Sequence, residues 1–221
     1  MMTATVVADV GRISWRARER LIERLRRMGV TSQEVLDVLR ALPRDLFVDE
    51  ALASRAYADS ALPIGWGQTI SQPYTVARMT EALLQGRRCD TVLEIGTGSG
   101  FHTAVLASLV RRVYSVERIG DLMALAARRL QSLKLRNVRL RHADGALGWP
   151  EYAPFDGILV TAAAAQVPNA LFAQLADDGC LVMPIGQPSQ QQLLRIVRSR
   201  RGWRREALEP VSFVPLLEGT C

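Results

Sequence analysis

A glycine-rich turn is the part of the sequence whose residue types are best suited to holding a ligand. It occupies residues 96–100, after the apolar run Thr91–Ile95 and before a helical periodicity over Phe101–Leu109. Alternate glycines let the backbone turn tightly and approach a bound molecule closely at the start of a helix. Glu94 lies inside the apolar run, where an unpaired carboxylate is costly to bury. We therefore expect it to face a crevice and to accept a hydrogen bond from a ligand or a loop amide.

Two later carboxylates stand where a nucleoside would need hydrogen-bond acceptors. Glu117 ends a second predicted strand about twenty residues after the turn, the place where an acid accepts from both ribose hydroxyls. Asp144 follows a third predicted strand, and its carboxylate is placed to accept from an adenine amino group. The alternative for Asp144 is an ordinary turn with Gly145 in the left-handed conformation.

The spacing of the glycines narrows the class of ligand. Dinucleotide enzymes have their third glycine at the position that Phe101 occupies, which argues against NAD. A P-loop is excluded because no Gly-Lys-Ser/Thr follows, and the single lysine is Lys134. The remaining pattern, Gly-x-Gly-x-Gly, is typical of S-adenosylmethionine sites.

A polar loop over residues 62–74 is far more specific than the glycine turn. It reads Leu-Pro-Ile-Gly-Trp-Gly-Gln-Thr-Ile-Ser-Gln-Pro-Tyr and has too few apolar residues to be core. Together with residues 94–100 it resembles the protein-L-isoaspartate O-methyltransferase family, and the similarity runs from about Arg20 to Leu216. The other segments that carry the resemblance are Pro43–Val48, Ala56–Asp59, Asp144–Gly145, Gly148–Pro150, Val160–Ala164 and Phe213–Leu216.

Departures from the family's pattern are few. An extension, residues 1–13, precedes Ser14, and its purpose is left open. Phe101-His102 stands where the family more often has tyrosine and glutamine, and Ala143 replaces the usual glycine before the aspartate. These departures bear on cofactor affinity and not on the reaction.

The resemblance implies methyl transfer from S-adenosylmethionine to the free α-carboxylate of L-isoaspartyl residues in damaged proteins or peptides, which initiates repair through a succinimide. It implies that the catalytic Ser71 hydroxyl and nearby N–H groups hold that carboxylate. The alternative is that Ser71 only caps the helix begun after Pro73. The residues expected to bind the cofactor are Gln68, Thr69, Ile70, Glu94, Gly96, Thr97, Gly98, Ser99, Gly100, His102, Glu117, Asp144, Gly145 and Thr161.

Other functions are weighed against the segment Thr161–Ala164. An RNA or other nucleobase methyltransferase needs an aromatic platform and polar acceptors there, and a magnesium-dependent enzyme needs carboxylates. The segment Thr-Ala-Ala-Ala supplies none of these, and we expect no metal. A related carboxyl methyltransferase of a peptide-modification pathway and a cofactor-binding module without turnover stay open as alternatives.

Composition is that of one soluble domain. The chain has 221 residues, is 48% hydrophobic and carries a net charge of +6. No apolar stretch approaches the roughly 18 residues of a membrane span, and no signal peptide is evident, so we expect a cytoplasmic monomer. Arginines crowd the first helix around the stripe Leu21, Ile22, Leu25 and Met28; we interpret them as its solvated face and expect no nucleic-acid partner. The three cysteines, Cys89, Cys180 and Cys221, are expected to be free thiols.

Alternation of strands and helices predicts the fold. It is α/β: a doubly wound, mostly parallel seven-stranded sheet of the S-adenosylmethionine-dependent methyltransferase (Rossmann-like) type, with an antiparallel edge strand and an N-terminal helical addition. We expect residues 1–74 to hold two helices and a substrate-covering loop, packed on a methyltransferase domain over 75–221 to give effectively one domain. The predicted strands are 91–95, 113–117, 137–142, 155–160, 180–185, 193–198 and 207–214.

Some local features are predicted as well. Thr31–Glu34 reads as a capping box that opens a second helix, residues 43–74 as a long loop, and residues 200–204 as a polar turn. Further helices are expected over 76–84, 121–133 and 168–175.

Overall fold

The computed structural model describes residues 4–87, 89–199 and 202–221, with side chains from residue 15 onward. The α-helices in this part of the chain are α1 (Ala4–Arg27), α2 (Gln33–Ala41), α3 (Pro73–Leu84), α4 (Phe101–Leu109), α5 (Gly120–Ser132) and α6 (Asn169–Ala173). The strands are β1 (Leu62–Gly65), β2 (Gln68–Ile70), β3 (Thr91–Ile95), β4 (Arg112–Glu117), β5 (Val138–His142), β6 (Phe155–Val160), β7 (Leu175–Gln187), β8 (Gln190–Ser199) and β9 (Gly202–Val211).

Seven of these strands form one twisted sheet in the order β5-β4-β3-β6-β7-β8-β9. The strands from β5 to β7 pair in parallel, whereas β8 is antiparallel to β7 and to the edge strand β9. Because the parallel strands all point the same way, the loops after β3, β4, β5 and β6 meet at one edge of the sheet. The predicted mostly parallel sheet with antiparallel pairing at one edge is confirmed.

Both faces of the sheet are covered. Val92 and Val113 belong to one buried cluster and their neighbours Leu93 and Tyr114 to another, so successive residues of β3 and β4 point to opposite, equally apolar sides. This is the burial expected of a doubly wound parallel sheet. The central strands Thr91–Ile95 and Phe155–Val160 have the bounds predicted for them.

The antiparallel end of the sheet is longer than predicted. β8 extends beyond its apolar run because it pairs with the second half of β7 from Gln190 onward, and β7 begins early because Leu175 pairs with Phe155 of β6. Gly202, Trp203 and Arg204, predicted as part of a turn, belong to β9, where Gly202 pairs with Ser199. Residues 200 and 201 of that predicted turn lie outside the described residues.

Two predictions about the N-terminal region are wrong in detail. The cap of α2 is Ser32, whose hydroxyl accepts from the Val35 N–H at 3.4 Å, and not Thr31. Thr31 is instead bonded through its N–H and its hydroxyl to the Glu81 carboxylate, at 2.7 and 2.8 Å. Met28 is 38% exposed because α1 ends at Arg27, so only the other members of the predicted stripe pack inward.

The segment 43–74, predicted as a loop, has regular structure. It contains two 3-10 helices, Arg44–Phe47 and Glu50–Arg55, followed by the antiparallel hairpin of β1 and β2. The hairpin packs on α1, α2 and α4 in one apolar cluster that includes Leu25, Leu62 and Phe101. The N-terminal helices therefore hold the hairpin against the start of α4.

Cys89 and Cys180 are buried, Cys221 is exposed, and all three are free, as predicted. Within the described residues, no helix combines the length and the apolar character that a membrane crossing requires.

Candidate active site

The hairpin end and the glycine turn line one cleft at the carboxyl edge of the parallel strands. The cleft has a volume of about 860 Å³ where it is counted out to open solvent. Convergence of the 62–74 segment with the turn was the central spatial prediction, and it is confirmed. The predicted site residues that line the cleft are Gln68, Thr69, Ile70, Ser71, Gly96, Thr97, Gly98, Ser99, His102, Glu117, Gly145 and Thr161. Glu94, Gly100 and Asp144 are predicted site residues that do not line it.

The Glu117 carboxylate is held by two backbone N–H groups. Gly98 N donates to Oε2 at 2.9 Å and Ile119 N donates to Oε1 at 3.0 Å. These bonds tie the end of β4 to the glycine turn, and they leave each oxygen a further lone pair for a ligand. Glu117 therefore faces the cleft with a set orientation, as its predicted role requires.

The glycine turn can approach a ligand closely because three of its five residues have no side chain. Gly96 has a φ of +93°, and a Cβ built there would lie 2.3 Å from Thr161 Oγ1. The Thr161 hydroxyl lies 2.9 Å from the Gly96 carbonyl oxygen, to which it donates. Gly100 also has a positive φ and lies against Ala126, where the chain turns into α4. It shapes the turn but does not line the cleft.

Glu94 does not face the cleft, contrary to the prediction. Alternate residues of β3 point to opposite sides, and Glu94 lies on the side covered by α4. Its Oε2 accepts from Thr103 Oγ1 and Ser115 Oγ, both at 2.5 Å, while Oε1 has no partner among the described residues. Burial raises the pKa of Glu94 to about 8 despite these bonds, so the carboxyl is largely protonated at neutral pH.

Asp144 acts as a cap in the structure. Its Oδ1 accepts from Ala146 N at 2.8 Å and its Oδ2 from Gly219 N at 2.7 Å. Gly145 has no positive φ, so the left-handed turn considered for it is wrong. Glycine is required there for space, since a Cβ would lie 2.4 Å from Ile95 Cγ2.

His102 is buried at the cleft with one ring nitrogen engaged. Its Nε2 lies 2.9 Å from Thr80 Oγ1, and that hydroxyl donates its own hydrogen to the Val76 carbonyl at 2.8 Å. His102 must therefore donate from Nε2, which leaves Nδ1 as an acceptor without a described partner. Burial, with a smaller effect of Arg44, lowers the pKa of His102 to about 3, so the ring is neutral.

Ser71 lines the cleft and is half-buried. The alternative role as a helix cap is wrong: α3 has Gln72 at its N-cap position and no side-chain capping bond. Within the described residues the Ser71 hydroxyl has no hydrogen bond, whereas the Ser71 carbonyl accepts from Arg44 Nη2 at 2.7 Å. The Ser71 hydroxyl is therefore available to a ligand in the cleft, while the Ser71 carbonyl is held by Arg44.

Residues 214–217 form a wall of the cleft that sequence reasoning missed. Ala163 N donates to the Val214 carbonyl at 2.8 Å and Leu216 N to the Ala163 carbonyl at 2.7 Å, which docks this segment on the loop after β6. The motif Phe213–Leu216 was a signal for it, but its spacing from the other motifs says nothing about where it packs. No group of three or more potential ligands that could hold a metal occurs among the described residues.

A sequence model described as protein-L-isoaspartate(D-aspartate) O-methyltransferase matches residues 16–220. The chain belongs to the protein-L-isoaspartate O-methyltransferase family. Curated members of the family from Halorhodospira halophila and Ectopseudomonas mendocina are 55% and 60% identical to it, over 96% and 93% of this chain and 96% and 98% of theirs. Membership confirms the resemblance, the methyltransferase activity and the S-adenosylmethionine dependence expected from the motifs.

Solved structures of the family share the fold. One protein-L-isoaspartate O-methyltransferase superposes with a TM-score of 0.81 at 29% identity, covering 90% of this chain and 65% of that one. A putative member from Plasmodium falciparum, in complex with S-adenosyl-L-homocysteine, gives a TM-score of 0.80 at 26% identity, covering 91% of this chain and 99% of that one.

The residues present fit S-adenosylmethionine. The glycine turn, the end of the hairpin and the loop after β6 line one concave site, and any Cβ at Gly96 would collide with the Thr161 hydroxyl that borders it. Glu117 offers two carboxylate oxygens, and His102 Nδ1 is a buried acceptor without a protein partner.

Proposed function

We propose that this cleft transfers a methyl group from S-adenosylmethionine to the free α-carboxylate of L-isoaspartyl residues in damaged proteins and peptides. The observation that carries the proposal is that Ser71, with its free hydroxyl, lines the same cleft as the glycine turn and Glu117. Family membership supplies the reaction class, and the geometry supports the roles that we propose for the residues.

The cofactor end of the cleft is the glycine turn and its neighbours. Glu117 accepts from the ribose hydroxyls, and the residues around it that form the nucleoside and amino-acid pocket are Gln68, Thr69, Ile70, Gly96, Thr97, Gly98, Ser99, His102, Gly145 and Thr161. Three further residues support the pocket without lining it. Glu94 accepts from the Thr103 and Ser115 hydroxyls, Gly100 precedes α4, and Asp144 caps the turn that contains Gly145. S-adenosylmethionine, when bound, supplies a methyl group already activated by a positively charged sulfur.

The acceptor end needs no general base. An α-carboxylate has a pKa near 3.5 and is ionised at neutral pH, so it is already nucleophilic. The Ser71 hydroxyl donates to one carboxylate oxygen and so turns the other toward the methyl group. Rate enhancement then comes from alignment and exclusion of water, since a near-attack geometry removes much of the entropic barrier.

Methylation makes the α-carboxyl a better leaving group. The neighbouring amide nitrogen closes a succinimide with loss of methanol, and hydrolysis of the succinimide yields partly normal aspartyl residues. We propose repair as the role of the reaction, because the chain matches the protein-L-isoaspartate O-methyltransferase family over residues 16–220. A peptide-modification role would make isoaspartate the end product instead.

Label transfer from S-adenosylmethionine to an isoaspartyl peptide, and to the same peptide with normal aspartate, tests the function. We expect labelling of the isoaspartyl peptide alone. Ser71→Ala should lower kcat/KM by roughly 10- to 100-fold, since a hydrogen bond to a charged group contributes about 1.5–3 kcal/mol. Ser132→Ala, which removes an exposed hydroxyl bonded to the Arg129 carbonyl, is the matched control and should leave the rate unchanged. Equal labelling of both peptides would contradict the function, and an undiminished Ser71→Ala rate would contradict the role of Ser71.

We further propose a cytoplasmic monomer that binds neither nucleic acid nor membrane. Its N-terminal part, residues 1–74, packs on the methyltransferase part, residues 75–221, as effectively one domain. Size-exclusion chromatography with light scattering should give a mass close to the 24.4 kDa of one chain, with no change on addition of RNA.

A further inference from the structure

Arg44 is a buried cation directly behind the acceptor end of the cleft. It lies in the 3-10 helix Arg44–Phe47 and is 1% exposed. Its Nε donates to the Ala56 carbonyl at 2.9 Å and its Nη2 donates to the Ser71 carbonyl at 2.7 Å. The guanidinium carbon lies 4.7 Å from the centroid of the Phe101 ring, so the planar group is held on three sides.

Burial of this charge is costly. Within the described residues no carboxylate lies within 4.0 Å of the guanidinium, and Nη1 has no hydrogen-bond partner. Desolvation lowers the pKa of Arg44 to about 9, although the charge of Asp59 opposes it. Two carbonyls could be joined by a neutral amide donor without this cost. We therefore infer that this position requires either a positive charge or a rigid group that donates two hydrogen bonds at once.

That place is next to the expected binding position of an anion. A peptide carbonyl at Ser71 that faced the cleft would repel a substrate carboxylate, whereas one bonded to Arg44 is turned away from it. Arg44 itself is not part of the cleft lining, but Phe101, on which it stacks, and His102 are. The guanidinium therefore acts on the cleft through its neighbours and not by touching the substrate.

We propose that Arg44 is a positioning residue for methyl transfer, which holds the Ser71 carbonyl away from the cleft so that the Ser71 hydroxyl is presented to the isoaspartyl carboxylate. This inference rests on the proposed function. Phe101 fixes the plane of the guanidinium, and the Nε bond to the Ala56 carbonyl ties it to the end of the 3-10 helix Glu50–Arg55. The charge polarises the Ser71 peptide, which favours an anion on the hydroxyl side.

The test compares Arg44→Gln and Arg44→Lys with Arg195→Gln. Arg195 is a matched control because it is also buried, at 5% exposed, and donates to the Ala82 and Gln85 carbonyls, yet it does not line the cleft. Each purified protein is assayed for kcat and KM with the isoaspartyl peptide, for the Kd of S-adenosylhomocysteine by calorimetry, and for its melting temperature.

We expect Arg44→Gln to lower kcat/KM for the peptide by roughly 10²-fold, the effect of a misplacement of about 1 Å. The Kd of S-adenosylhomocysteine should change by less than about 3-fold in both Arg44 variants. Arg44→Lys, which keeps a charge but reaches one carbonyl only, should retain more activity than Arg44→Gln. Arg195→Gln should lower the melting temperature but leave kcat/KM of the folded protein close to the wild-type value.

A double-mutant cycle with Ser71→Ala decides whether Arg44 acts through Ser71. We expect Arg44→Lys to have little further effect in the Ser71→Ala background. Full additivity, or a loss with Arg195→Gln equal to that with Arg44→Gln, would overturn the proposal. Should Arg44→Gln not fold, Arg44→Lys and the cycle give the same decision. Failure of the proposed function is a separate outcome, since the wild-type protein would then not label the isoaspartyl peptide at all.

Discussion

Glu117 is the residue whose substitution should most directly weaken cofactor binding. Each of its oxygens accepts from a different backbone N–H, Gly98 to Oε2 and Ile119 to Oε1. Glu117→Gln keeps the size of the side chain but replaces one acceptor by an NH2 donor. Whichever way the amide is turned, one of the two N–H groups then faces a donor, and one ribose hydroxyl loses its carboxylate partner.

The magnitude follows from the bonds that are lost. A hydrogen bond to a charged group contributes about 1.5–3 kcal/mol, and 1.4 kcal/mol is a factor of ten in an equilibrium constant. The Kd of S-adenosylhomocysteine, measured by calorimetry, should therefore rise by roughly 10- to 100-fold. The unfolding free energy, measured in urea, should fall by about 2 kcal/mol because one buried N–H is left unpaired.

The control is Glu151→Gln, which removes an exposed carboxylate paired with Arg141 at 3.0 Å. A surface pair of this kind contributes little, so both measurements should stay near the wild-type values. A Kd for Glu117→Gln within threefold of wild type would refute the assignment of Glu117 to the ribose.

Gly145→Ala should lower the unfolding free energy in urea by about 1–3 kcal/mol, because its Cβ would lie 2.4 Å from Ile95 Cγ2; an unchanged urea midpoint would contradict this. Glu94, with a folded-state pKa raised from 4.5 to about 8, keeps its proton in the folded protein and loses it on unfolding, so wild-type stability should fall as pH rises from 4.5 to 8. The slope is at most about 1.4 kcal/mol per pH unit, and Glu94→Gln, followed by urea unfolding across that range, should lack it. His102→Gln keeps a side-chain donor to Thr80. Because the pKa of His102 is lowered to about 3, the wild-type protein and this variant should have parallel pH–rate profiles between about pH 6 and 8. A titration step near the ordinary pKa of histidine, seen in the wild-type profile alone, would refute this.

The fold was accessible from sequence because the signals that determine it are local. The apolar run Thr91–Ile95, the glycine turn after it and the helical periodicity of Phe101–Leu109 lie within twenty residues and predict their elements with the observed bounds. The hairpin of β1 and β2 was hidden because its strands are only 4 and 3 residues long and the first carries proline and glycine, which normally indicate loops.

What sequence reasoning missed depends on distant partners. Thr31 fails to cap α2 because Glu81, which is 50 residues away, binds it. The direction of Glu94 depends on which face of β3 is covered by α4, and a five-residue strand that is buried on both faces carries no alternation to show this. Arg44 stood in a recognised motif, but only the folded chain brings it to the Ser71 carbonyl.

The wall formed by residues 214–217 has a consequence for the order of events during synthesis. A ribosome completes residues 68–71 long before it reaches residue 214. An unfinished chain can therefore already pair its parallel strands while the residues that form one wall of the cleft have not yet been synthesised. Methyl transfer must therefore await the arrival of the segment that bonds to Ala163 and, through Gly219, to Asp144. A purification tag fused after residue 221 would follow that wall closely in the chain, whereas none of the α1 residues whose side chains the structure describes lines the cleft.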